Sequence, residues 1–198
     1  HPVDRRQRQM CIRDSTRAII EKAHSSQNRM NSINLSKPFT LINGQVIKNR
    51  LFKSAMSEQL GDKHHNPTIG LVNLYQRWAN GGIGLSMTGN VMVDRNALGE
   101  PKNVVLDEQS DLTVFRQWAN AGKQNGSQIW MQLNHPGKQI PKFLCNEPVA
   151  PSAISLGRGL EKGFNTPRAL SESEIHDVIN KFVAVSYTHL RAHETPAN

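Results

Sequence analysis

Three short stretches of the chain end in side chains suited to gripping a ligand: Ala55-Met56-Ser57, Thr88-Gly89-Asn90 and Gln132-Leu133-Asn134-His135. Each closes an apolar run, "RLFKSAM", "IGLSMTGNV" and "SQIWMQL". Amides and hydroxyls gathered at one spot suit a planar heterocycle with alternating donors and acceptors. A glutamine amide supplies both at a fixed spacing, so Gln132 can pair bidentately with a ring edge that carries C=O next to N–H. The pyrimidine edge of a flavin is such an edge. A hydroxyl donating to a flavin carbonyl stabilises the negative charge that builds on reduction and raises the potential, and Ser57 stands where it could do so.

Other chemistries find no support at these positions. No carboxylate pair, metal-spaced histidine cluster or Ser-His-Asp set is visible, which argues against glycosidase, metallohydrolase and triad mechanisms. His64-His65 lies in a polar loop without a third ligand, and His135, ahead of Pro136, reads as bonding local backbone. No G-x-G-x-x-G or P-loop pattern follows a strand; Gly81, Gly82 and Gly84 follow a helix instead. Trp78, Trp118 and Trp130 read as core packing. Lys138 and Lys142 read as solvated loop charges.

The elements that must position the strand ends alternate. "FTLINGQVIKN" is a hairpin signal around Asn43-Gly44, both of which tolerate positive φ. "RLFKSAM" is the first strand. In "PTIGLVNLYQRWANGG", Ile69, Val72, Tyr75, Gln76 and Ala79 fall at helical spacing, and Gly81-Gly82 ends the pattern. "IGLSMTGNV" is the second strand. "DEQSDLTVFRQWANAGKQNG" predicts a helix with Leu112, Phe115, Trp118 and Ala119 on one face, ending at Gly126. "SQIWMQL" is the third strand, followed by a Gly- and Pro-rich loop too long to be a mere connector. "SESEIHDVINKFVAV" opens with a Ser171–Glu174 capping box and carries Ile175, Val178, Ile179 and Phe182 as a core stripe.

A hairpin followed by three strand–helix repeats predicts an α/β fold with a parallel sheet and right-handed crossovers. The best fit is an incomplete (β/α)8 TIM barrel, whose eight units need about 250 residues. Functional groups of such a barrel gather at the C-terminal ends of its strands, which is where the three stretches lie.

"KNRLFKSAMSE", "YQRWANGGIGLSMTGNVMVD", "IWMQLNHPGK", "EPVAPSAI" and "PRALSESEIHDVINKF", in that order, resemble the N-terminal part of the Old Yellow Enzyme family of NADH:flavin oxidoreductases, from about Pro38 to Ala184. The resemblance implies an FMN-containing barrel, capped at its base by the Asn43-Gly44 hairpin, that uses NAD(P)H to reduce activated C=C bonds such as those of enones. It implies cofactor contacts from Ala55, Met56, Ser57, Asn90 and Gln132, with Gly89 in place of Asn90 if the alignment shifts by one. Gln59 and Asn134 fall where the family lines its substrate pocket. Ala55 stands where many members have proline. The family's ping-pong scheme carries hydride from nicotinamide to flavin N5 and on to the substrate β-carbon. Its substrate-orienting His/Asn pair and its tyrosine come at and after the fourth strand, so no catalytic residue is assigned in this chain. Phosphate-holding loops come later still.

The ends differ in character. "HPVDRRQRQMCIRDS" and "SYTHLRAHETPAN" show no periodicity and look like translated adaptor sequence. The expected organisation is therefore a non-native or disordered basic tail at 1–29, the N-terminal portion of an FMN-binding barrel at 30–185, and a second such tail at 186–198. Met30 is a plausible native start, and a chain truncated near Ala184 is expected to be inactive.

The formal charge of +8 is concentrated at one end, eight of the 24 Lys/Arg and three of the 16 Asp/Glu lying before Pro38. A non-catalytic module binding nucleic acid through this start is one alternative, although no aromatic residue precedes Phe39 to stack on bases. A dienoyl-CoA-reductase-like flavin/iron–sulfur oxidoreductase is another. No apolar run approaches the roughly 20 residues of a membrane helix and no secretory h-region is present, so a cytoplasmic location is expected. Cys11 and Cys145, far apart and without C-x-x-C spacing, fit a reducing compartment. The expected partner is a small α,β-unsaturated carbonyl compound, with neither nucleic acid nor membrane.

Overall fold

A computed structural model describes residues 34–193. The basic tail at 1–29, the start at Met30 and residues 194–198 lie outside the described residues. From Ser36 onward the chain forms one compact unit.

The opening hairpin pairs β1 (Phe39–Thr40) with β2 (Val46–Ile47) antiparallel. Its turn differs from the expected two-residue loop. The Gly44 N–H donates to Leu41 O at 2.9 Å and Leu41 N–H to Gln45 O at 2.8 Å, with Gly44 alone at positive φ. This is a Leu41–Gly44 turn whose last residue is left-handed, so only the glycine's freedom is used.

The predicted alternation follows. The strands are β3 (Phe52–Lys53), β4 (Leu85–Met92) and β6 (Gln128–Asn134), separated by α1 (Ile69–Asn80) and α2 (Leu112–Gly122). Both β3 and β6 pair parallel with β4. An unpredicted two-residue strand, β5 (Val104–Val105), pairs parallel with Val91–Met92 beyond the end of β3. Asp111 caps α2, its carboxylate accepting from Thr113 N–H at 2.9 Å. α2 stops at Gly122 and a 3-10 turn carries the chain to Gly126.

The long loop is ordered by its own short parallel pair, β7 (Val149–Ala150) with β8 (Arg168–Ala169). α3 (Glu172–His193) then opens on the predicted capping box: Ser171 N–H donates to Glu174 Oε2 at 2.7 Å, and Glu174 N–H to Ser171 Oγ at 3.3 Å. The helix runs on to His193, into the stretch read from the sequence as a tail at 186–198. Once a helix is nucleated, extension needs only an absence of breakers, and no Gly or Pro occurs between Glu172 and His193.

Leu71, Tyr75, Val91, Phe115, Trp118, Ile129 and Val185 are the heart of a core between sheet and helices. Tyr75 packs edge-on against Trp78 and Trp118, with centroids at 4.8 and 5.2 Å. Two predicted stripes are rotated. In α1, Leu71 is buried while Ile69 is 68% exposed. In α3, Val178, Phe182 and Val185 face inward while Ile175 and Ile179 are exposed. The architecture is an incomplete α/β barrel of three β/α units. The hairpin docks at the N-terminal end of the sheet, where Gln128 Nε2 donates to Val46 O at 2.7 Å and Lys48 Nζ to Asn125 O at 2.6 Å.

Candidate functional site

The site is built on an irregularity in β4. Met87 pairs with Trp130, but the next pair is Asn90 with Gln132, so β4 spends one more residue than β6 between these positions. Thr88 Oγ1 fills the gap by accepting from Gln132 N–H at 2.9 Å. Paired residues of adjacent strands share a face. Val91 and Leu133 meet the helix-side core, whereas Asn90 and Gln132 lie together on the opposite, barrel-interior face. Without the bulge, Met87 and Asn90 could not both face inward, because strand side chains alternate.

Gly89 sits inside the bulge, and a Cβ there would overlap Met56 O and Glu58 Oε2. Only glycine lets the loop after β3 lie directly on β4. That contact brings Ser57 and Gln59 against Gly89 and Asn90 around a narrow recess with room for about one water molecule at most. Gln59 holds a left-handed φ of 51°. The Ser57 hydroxyl donates to Glu100 Oε2. Ala55 and Met56 are exposed.

Gln132 supplies the most informative atom. Its Oε1 is buried and has no hydrogen-bond partner. A buried amide oxygen left alone costs about 1–3 kcal/mol, so this acceptor, like Gln128 Oε1 elsewhere in the strand, is open to a donor from outside the chain. Asn134 stands one turn of the pleat further on, its Nδ2 at 3.8 Å from Met92 Sδ and its backbone O accepting from Val93 N–H. The sequence-predicted residues thus fall into an Asn90–Gln132 pair, a Ser57–Gln59–Asn90 recess, and Asn134 apart from both.

Three residues that sequence reading missed lie beneath this site. Lys53 Nζ donates to Glu58 Oε1 at 3.1 Å, to Tyr75 Oη at 3.0 Å and to Met87 O at 2.7 Å, and the Tyr75 hydroxyl donates to Glu58 Oε1 at 2.7 Å. Both charged side chains are 9% exposed. Lys53 Nζ also lies 4.4 Å from the centroid of Trp78. Burial pushes the Lys53 ammonium below its ordinary pKa against the opposing pull of Glu58, and burial with the Glu58 carboxylate raises the Tyr75 phenol. A lysine at the end of a strand next to an apolar helix face was the available signal.

His135 accepts from Gly137 N–H at 3.2 Å, the local bond expected of it. Burial lowers its pKa, Asp94 opposing and Lys181 adding to the effect. Lys138 Nζ, in the loop, donates to Ile154 O at 3.2 Å in an exposed bond. Two larger cavities, of about 470 and 360 Å³, flank the Lys181–Asp94 ion pair and contain none of the predicted site residues. Among the described residues no cluster of His, Cys, Asp or Glu could hold a metal ion, and no helix is long and apolar enough to cross a membrane.

Comparison with known proteins identifies the company this geometry keeps. Residues 34–193 match the model of the NADH:flavin oxidoreductase / NADH oxidase family. The NADH-dependent flavin oxidoreductase iliE of Hypocrea jecorina (strain QM6a) is 36% identical over 170 residues, which are 77% of this chain and 42% of the relative. The old yellow enzyme homologue of Zymomonas mobilis superimposes with a TM-score of 0.69 at 22% identity, over 80% of this chain and 45% of that one. A 2-naphthoyl-CoA reductase superimposes with a TM-score of 0.73 at 21% identity, over 80% and 26%. The chain spans less than half the length of these relatives.

Proposed function

The chain belongs to the NADH:flavin oxidoreductase / NADH oxidase family, and from that premise we propose that the whole protein is an FMN-dependent oxidoreductase that reduces activated C=C bonds, such as those of enones, with NAD(P)H. The observation that carries the reading is the Asn90–Gln132 pair at the C-terminal end of parallel strands, with Gln132 Oε1 buried and unpartnered. An orphaned acceptor beside an amide donor fits a ring edge presenting N–H next to C=O. The residues present therefore fit the flavin.

When bound, FMN supplies the hydride relay between nicotinamide and substrate. The protein's share is binding, orientation and charge. Gln132 and Asn90 hold the ring edge, and Ala55 and Met56 offer backbone and a small surface beside it. The Ser57 hydroxyl, now donating to Glu100, would turn to a flavin carbonyl and steady the charge that gathers there on reduction. Gln59 and Asn134 face the substrate. The protein is cytoplasmic and acts on small α,β-unsaturated carbonyl compounds. This chain by itself turns over no enone, because the acid–base residues and phosphate loops of the resemblance belong to later strands than its three.

Fluorescence titration tests the reading. The chain should quench FMN weakly but saturably, and riboflavin equally well, because no phosphate contact contributes. Gln132→Leu should weaken both by about tenfold, the worth of one good hydrogen bond to a desolvated acceptor. Saturable uptake unaffected by Gln132→Leu, or no uptake of either flavin, would sink the assignment of this site.

A further inference from the structure

The buried cluster of Lys53, Glu58 and Tyr75 ties together four pieces of chain: β3, the loop after it, α1 and the bulged strand β4. Glu58 directly follows Ser57, and Gly89 directly precedes Asn90. Glu58 Oε1 is held by both Lys53 Nζ and the Tyr75 hydroxyl, at 3.1 and 2.7 Å, while its other oxygen occupies the space a Gly89 Cβ would need. Lys53 Nζ reaches across to Met87 O at 2.7 Å, on the other side of the bulge. The cluster thus fastens the neighbour of Ser57 to both flanks of the residues that lead into Asn90.

Magnitudes separate two roles for such a cluster. A buried ion pair yields little net stability, because desolvating both charges offsets their attraction, and apolar replacement of both partners is often neutral or stabilising. What it does supply is direction, since an ammonium with three acceptors and a carboxylate with two donors fit one arrangement of their elements. We propose that Lys53, Glu58 and Tyr75 are positioning residues that set the separation between the Ser57 and Asn90 strand tips, and so the alignment of the side chains that meet a flat ring. The inference rests on the flavin reading for its ligand but on geometry alone for the loop.

The test uses the whole chain with three variants: Glu58→Gln, Tyr75→Phe, and the double variant Lys53→Met/Glu58→Leu, which leaves no orphaned charge. Amide hydrogen exchange is followed at residues 55–59 and 129–134, alongside thermal melting, FMN affinity and the fine structure of the visible flavin band. In the double variant, melting should hold or rise while exchange at 55–59 accelerates and FMN affinity falls, each by about tenfold, and the band loses resolution. Exchange at 129–134 should not change. Unchanged exchange at 55–59 would overturn the proposal. So would uniform acceleration through β6, or loss of the fold in all three variants, because each assigns the cluster to general stability. If the wild-type chain takes up no FMN, the flavin reading fails, and the exchange data then decide the positioning role alone.

Discussion

Gln132 and His135 stand three residues apart, yet opposite rules govern them. Gln132 keeps a buried acceptor open, whereas His135 is half-buried, which favours its neutral form. The consequence for His135 is a pH dependence with a definite sign. Its folded pKa lies below the ordinary value near 6.5, so the unfolded chain binds more protons once the pH drops beneath that value. Stability should therefore be full above about pH 6.5 and decline with acidification toward the lowered folded pKa. Asp94 and Asp107 act further down. Burial is the largest single influence and raises both, but the Lys181 and Arg95 hydrogen bonds, the Asn96 and Gln109 N–H groups and the attraction of the two cations together outweigh it, so their contribution is lost only below the ordinary carboxylate range. Melting curves between pH 8 and 5 should shift downward, and His135→Asn should flatten them; an unchanged slope in that variant would assign the effect elsewhere. The amide residues were legible in the sequence because they end apolar strands. The partner of Ser57 was not, since Glu100 lies 43 residues away and only the fold brings it near. Lys53, Glu58 and Tyr75 were hidden similarly, each looking ordinary in its own element.

At the level of elements, the order of strands and helices followed from hydrophobic periodicity and Gly punctuation, and the capping box fixed the start of α3 to the residue. The bulge in β4 left no such signature. "SMTGNV" alternates as a regular strand would, and the extra residue is visible only against the register of β6. β5 escaped notice because two valines carry no period. Gly89 is where the element-scale prediction falls. Gly89→Ala places a methyl against Met56 O, a backbone atom that cannot swing aside. Overpacking of this kind costs about 1–3 kcal/mol, and chemical denaturation should register it. Gly44→Ala is the contrast: its positive φ is strained by any side chain, but nothing lies within 4 Å of the new atom, so the loss should be smaller.

For the molecule as a whole, three β/α units make an open sheet rather than a closed barrel. Neither β3 nor β6 has an outer partner among the described strands, and α3 shows a line of apolar residues at every fourth position: Ile175, Ile179, Val183 and Tyr187 are all exposed. Apolar surface arranged as a stripe rather than scattered is a liability for an isolated chain. The chain should bind a hydrophobic dye and sediment in a concentration-dependent way, and Ile179→Lys with Val183→Glu should reduce both effects while leaving the capping box and the Val178–Phe182–Val185 face intact. Dye binding that ignores this double variant would locate the exposed apolar surface on the sheet face instead. The incomplete barrel was legible from the count of strand–helix repeats. The helix through residues 186–193 was not, because a helix inherits its direction from the turns before it as much as from its own composition.

The docking of the hairpin carries a consequence for synthesis. Val46 and Lys48 find their partners at Gln128 and Asn125, 82 and 77 positions later. A nascent chain emerging from the ribosome N-terminus first therefore carries an unseated plug until the third strand follows it out. A segment that precedes all three strands is among the last to be fastened, and a pause in translation before Asn125 leaves Val46 O and Lys48 Nζ without these partners.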